Sequence, residues 1–351
     1  MLPDGAAEKL TEELTAYARL QGVDLVGCTT PRPFTVGDRA EPVTPEQHLP
    51  GVRSIVMAAC YSYGSEAYRP SEPGRPRGRL GPYTRLEAPT YRHLQHVLTS
   101  FLTERDYQVV PAHELPNKAL AVRTGIVSYG KNCIVHADGL GSYLTLSGVL
   151  TDAELACRDR AIESTDCPED CRECVEACPT GALATPFRLA RQKCICSYLW
   201  GDPLPREHRE AVGDRLFRCE ACQQACPRNQ RLVPRAHFPA PPQRGEDSPE
   251  LIPLLLGDER YYQEAIPSFT QEAGLDTLRR NAAVAAGNGG DPATVPALLT
   301  CLDSAHTLTR IAAAWALGRL AGPEARRALS SRWPREEDAE VREEIEIALR
   351  S

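Results

Sequence analysis

Apolar and polar positions change period several times along the first half of the chain. From Ala6 to Gln21 the apolar residues recur at helical spacing, while Val23 to Gly27 and Ser54 to Ala59 are short apolar runs that read as buried strands. Tyr68 to Pro82 is crowded with Pro, Gly and Arg and reads as a surface loop. Helical spacing resumes from Arg92 to Arg105, and Tyr107 to Pro111 reads as a strand. This alternation predicts an α/β domain over residues 1–157.

Periodicity fades over 158–232, where cysteines take the place of apolar residues. A connecting segment is expected over 233–264 and a helical repeat over 265–351. Arg279, Ala282, Ala283, Ala285, Gly287 and Pro292 recur 31 residues later as Arg310, Ala313, Ala314, Ala316, Gly318 and Pro323. Arg342, Ala348 and Leu349 repeat Arg310, Ala316 and Leu317 at a spacing of 32. Such a unit, helix, Gly/Pro turn and helix, buries its apolar face only by stacking on the next, which predicts short HEAT-like repeats.

The cysteines carry the chemistry. Two runs, Cys167-x3-Cys171-x2-Cys174-x3-Cys178-Pro179 and Cys219-x2-Cys222-x3-Cys226-Pro227, follow the spacing that binds [4Fe-4S] clusters. In two-cluster proteins the last cysteine of a run crosses to the other cluster. Cys167, Cys171, Cys174 and Cys226 are therefore expected to hold one cluster, and Cys178, Cys219 and Cys222 the other, with Cys194 or Cys196 as its fourth ligand. Structural zinc needs one closed tetrahedral set and has no use for a third cysteine at this spacing or for the prolines. Disulfides need an oxidising compartment, and the chain opens with no signal peptide, so a cytoplasmic location is expected.

Composition limits the partners. The 351 residues carry a net charge of -7, with 42% hydrophobic and 25% charged residues. The overall field therefore disfavours nucleic acid, and RNA would have to use local basic faces such as Arg279 with Arg280 or Arg326 with Arg327. Gly125-Ile-Val-Ser-Tyr-Gly130-Lys131-Asn132 nearly spells a phosphate-binding loop. Asn132 stands where a hydroxyl must bind magnesium, and the strand-like Cys133-Ile134-Val135 follows where a helix is needed, so nucleotide binding is not expected.

The order of the Gly-x4-Gly-Lys-Asn segment, Gly141-Ser142-Tyr143-Leu144 running to Asp152, the two cysteine runs, Arg279-Arg280-Asn281-Ala282 and Ala314-Trp315-Ala316-Leu317-Gly318 resembles the epoxyqueuosine reductase family over nearly the whole chain. The resemblance implies reduction of the epoxide of epoxyqueuosine in tRNA, base-off cobalamin in the N-terminal domain, two [4Fe-4S] clusters, and a flavodoxin or ferredoxin as external electron donor. It implies Cys194 as the eighth ligand, and a corrinoid lying along Gly130, Lys131, Asn132, Gly141, Ser142 and Tyr143. The family's proton-donating Asp falls at Pro111, which leaves His113 and Glu114 as the nearest titratable residues. Two other readings keep the machinery: a paralogous corrinoid reductase of a small molecule, and a non-catalytic electron-transfer or corrinoid-activating protein.

Overall fold

The computed structural model describes residues 5–37, 41–64, 68–163, 165–233, 235 and 238–350. Its first part runs α1 (Ala6–Leu20), β1 (Leu25–Thr29), β2 (Ser54–Tyr61), α2 (Thr84–Thr103), β3 (Val109–Pro111), α3 (Asn117–Arg123), β4 (Ser128–Tyr129), β5 (Val135–His136) and β6 (Leu144–Thr151). Four of the strands form a sheet in the order β1-β2-β6-β3, and every pairing in it is antiparallel. An apolar run reveals that a strand is covered on both faces and says nothing of its direction.

Strand β2 is buried along its whole length. Val56, Ala58 and Cys60 pack with Leu94, Leu98 and Phe101 of α2 and with Leu14 and Ala18 of α1. Ile55 and Met57 face the opposite way, toward Leu120 and Val122 of α3. Side chains alternate across a strand, so helices on both faces make every position apolar.

Helix α2 begins at Thr84, ahead of the expected Arg92, and contains Pro89. A proline inside a helix leaves the carbonyl four residues back without its donor. That carbonyl, on Arg85, accepts from the backbone N–H of Gln243 at 2.9 Å, so a distant segment carries the helix through the proline.

The cysteine-rich region holds only short helices: α4 (Glu173–Glu176), α5 (Ile195–Leu199), α6 (Arg209–Val212), α7 (Ala221–Gln224) and α8 (Pro227–Gln230). The helical stack that follows starts at Leu251, inside the stretch expected to connect. It comprises α9 (Leu251–Leu256), α10 (Glu259–Ala265), α11 (Ser268–Gln271), α12 (Leu275–Gly289), α13 (Val295–Cys301), α14 (Thr307–Leu320), α15 (Pro323–Arg332) and α16 (Ala339–Arg350).

The repeated glycines have a packing reason. A Cβ at Gly287 would lie 2.9 Å from the Cα of Ala316, and one at Gly318 would lie 2.6 Å from the Cβ of Ala348. Each glycine thus lets α12 approach α14, or α14 approach α16, more closely than any side chain allows. One hydrophobic core runs from Ile195, Leu199 and Phe217 through Leu254 and Leu278 to Ile345, so the cysteine-rich region and the stack are packed as a unit. Among the described residues no helix is long and apolar enough to cross a membrane.

Candidate iron-sulfur centre

The fold gathers the two cysteine runs into two neighbouring groups of thiols. Cys174, on α4, has Cys167, Cys171 and Cys226 as its charged neighbours. Cys222, on α7, has Cys219, Cys194 and Cys178, with Cys174 reaching in from the other group. Helix α4 packs against α7, which sets the groups side by side. Cys226 belongs to the second run in sequence but caps the N-terminus of α8, facing the first group.

The second group lines a cavity of about 220 Å³, to which Cys178, Cys194, Cys219 and Cys222 all contribute. Among the described residues no three His, Cys, Asp or Glu side chains converge as one metal ion requires. The thiols surround a volume, which suits a multi-iron cubane better than a single tetrahedral zinc. Burial and then the neighbouring thiolates raise Cys174 to about 11, and the same causes push Cys222 up further. Bound iron would supply the positive charge that keeps such crowded thiolates ionised. Cys196 lines the same cavity, where burial raises it to about 11. It is a cavity thiol.

The six residues expected to cradle a corrinoid have other neighbours. The Nζ of Lys131 donates to the carbonyls of Pro168 at 2.7 Å, Glu169 at 2.6 Å and Cys171 at 2.9 Å, clamping the loop of the first cysteine run. Asn132 accepts from the backbone N–H of Ile134 at 3.1 Å and faces the cavity of the second group. A Cβ on Gly130 would lie 2.6 Å from Asn132 Oδ1, and one on Gly141 would lie 2.2 Å from Asn229 Oδ1. Ser142 bonds to both Gln223 and Asn229, and Tyr143 stacks on Tyr63 with ring centroids 4.7 Å apart. Protein approaches both glycines closely. These residues form the seam between the sheet domain and the cysteine-rich region. Their polar groups bond to protein partners.

Sequence reasoning missed the charged residues of the seam. Arg218 and Glu220, which flank Cys219, both have left-handed backbone, with φ of 60° and 61°. Arg218 donates to Tyr83 at 2.9 Å and pairs with Glu87 of α2. Burial lifts the Glu220 carboxyl to about 8 against the pull of Arg218, Arg215 and Arg79. Two charges alternating with the first ligand of a run were the available signal.

His113 and Glu114 lie on the exposed loop between β3 and α3, and neither borders the cavity. Glu114 pairs with Nδ1 of His48 at 3.3 Å, and Pro111 is the last residue of β3, paired with Val149. Of the expected basic faces, Arg279–Arg280 is not one. Arg280 is only 2% exposed, donating to the carbonyls of Asp202 at 3.0 Å and of Tyr198, while Arg279 donates to the Leu255 carbonyl at 2.7 Å. These arginines anchor the stack internally. Arg326 and Arg327 are exposed.

Two adjacent thiol groups on a helical stack define a double-cluster iron-sulfur redox protein. Residues 167–229 match the 4Fe-4S double cluster binding domain, and residues 267–350 match HEAT repeats. The chain belongs to the epoxyqueuosine reductase family, whose members are oxidoreductases: it is 32% identical to the epoxyqueuosine reductase of Bacillus subtilis over 97% of this chain and 95% of that one. A crystal structure of an epoxyqueuosine reductase with a tRNA-Tyr epoxyqueuosine-modified stem loop matches with a TM-score of 0.85 at 28% identity, covering 98% of this chain and 99% of that one. A Bacillus subtilis structure, described with its catalytic aspartate loop swung out of the active site, matches with a TM-score of 0.86 at 28% identity, again over 98% and 99%.

Proposed function

We propose that this chain removes the epoxide oxygen of epoxyqueuosine in tRNA to give queuosine. The observation that carries the reading is the near full-length match, in sequence and in fold, to reductases of that name, one of them seen with the modified stem loop. Loss of the oxygen as water, with an alkene left behind, consumes two electrons and two protons. Two [4Fe-4S] clusters, one on Cys167, Cys171, Cys174 and Cys226 and the other on Cys178, Cys194, Cys219 and Cys222, deliver electrons singly from an external flavodoxin or ferredoxin. The proposed division of labour is an N-terminal domain over 1–157, the cluster domain over 158–232, a connector over 233–264 whose last part already packs into the helical stack, and the repeats over 265–351. The setting is the cytoplasm, where thiolates stay reduced.

Cobalamin belongs to the proposal on the family resemblance alone. The proton for the departing oxygen is assigned to the loop carrying Glu114 and His113. A catalytic acid gains by being held near its substrate, and the His48 contact orients Glu114. Arg326 and Arg327 offer an exposed basic pair for RNA phosphate.

The test is anaerobic reconstitution with iron, sulfide and cobalamin, followed by reduction in the presence of an anticodon stem loop carrying epoxyqueuosine. Mass spectrometry should show the loss of one oxygen from the RNA. Full clusters and salt-sensitive RNA binding without that loss would overturn the reading.

A further inference from the structure

The turn Thr185-Pro186-Phe187-Arg188 lies between the crossing ligand Cys178 and Cys194. The backbone N–H of Arg188 donates to the Thr185 carbonyl at 3.1 Å and that of Phe187 to the Lys131 carbonyl at 2.9 Å. Phe187 sits in the left-handed region with φ of 63° at the turn position that favours glycine. It nonetheless holds a large aromatic ring that is 44% exposed, two residues from Leu189, which is 42% exposed. A strained backbone carrying an exposed apolar side chain points to a contact surface.

The surroundings say what it contacts. Ala182, Ala184, Phe187, Arg188, Leu189 and Gln192 line an open groove of about 640 Å³. Leu189 and Ala182 also line the cavity of the second thiol group, so one layer of side chains separates the groove from that cluster. Within residues 181–193 the charged residues are Arg188, Arg191 and Lys193, all exposed, with no Asp or Glu, on a chain whose net charge is -7. A small apolar centre that holds Arg188 and is followed in the chain by Arg191 and Lys193 suits a transient redox encounter, in which charge steers the approach and the interface stays small.

We propose that this groove docks an acidic one-electron carrier protein, flavodoxin or ferredoxin in class, which reduces the cluster held by Cys178, Cys194, Cys219 and Cys222. The proposal rests on the double-cluster reading given above. Each docking oxidises the carrier by one electron and takes the cluster from the 2+ to the 1+ state; two dockings supply the pair that removal of one oxygen consumes.

The experiment is stopped-flow reduction of the reconstituted full chain by reduced flavodoxin, compared with reduced methyl viologen, a small cation. Arg188→Glu with Arg191→Glu should slow the flavodoxin reaction about tenfold or more at low ionic strength and flatten its salt dependence. The viologen rate and the iron content should not fall. Phe187→Gly suits the left-handed backbone, so it should keep or raise the melting temperature while also slowing flavodoxin. Unchanged flavodoxin kinetics in both variants would overturn the proposal. So would a loss of stem-loop binding with carrier kinetics intact, which would make the groove an RNA face. If wild-type protein cannot be bleached even by viologen, the double-cluster reading itself fails.

Discussion

Asn229 and Ser142 hold the cysteine-rich region to the sheet domain through both ends of one amide. Asn229 Oδ1 accepts from the Ser142 backbone N–H at 2.8 Å, and Asn229 Nδ2 donates to the Ser142 hydroxyl at 2.8 Å. Both residues are buried. Asn229 lies in α8, three residues after Cys226, so the amide also fixes the helix that presents that thiol. Asn229→Leu strands two buried groups and should cost about 2–4 kcal/mol. Denaturant titration of the reconstituted protein measures it, and a change below about 0.5 kcal/mol would show the seam to be indifferent to the amide.

Lys131 clamps the first cysteine run through three backbone carbonyls. Lys131→Met keeps most of the stem but leaves those carbonyls without their charged donor, at a cost of about 2–4 kcal/mol. Iron held by the first group should be lost to a chelator faster than in the wild type, with the second cluster's rate unchanged. Equal rates in variant and wild type would mean that the clamp does not protect the cluster.

Reconstituted protein should contain about eight irons per chain. Cys226→Ser should remove the cluster of the first run and leave about four. Loss of the cluster of Cys178, Cys219 and Cys222 in its place, identified by which cysteines become alkylatable, would reverse the crossover.

Cys194 and Cys196 both face the second cavity. Cys194 is a charged neighbour of Cys222, whereas Cys196 is not among its principal ones. Cys194→Ser should therefore cost one cluster, and Cys196→Ser should leave the iron content near eight. The opposite pattern moves the ligand by two residues.

Glu114→Gln removes the acid but keeps its shape, and should lower single-turnover deoxygenation of the stem loop by about a hundredfold or more. His113→Asn is the parallel variant. Wild-type rates in both would place the acid outside this loop.

The sequence by itself determined the cluster chemistry, because ligand spacing is a local property: the thiols of each run are only three or four residues apart. It also determined the helical repeat, whose period reports the close crossings at Gly287 and Gly318. The tertiary structure decided what no local pattern encodes. The antiparallel sheet joins β2 to β6 across more than eighty residues. Helix α2 passes through Pro89 because Gln243 occupies the freed carbonyl. Gly141 and Ser142 meet Asn229, and Arg280 turns inward to Tyr198 and not outward to RNA. In each case the partner is remote in the chain, and a residue's chemistry shows that it needs a neighbour without showing which one folding brings.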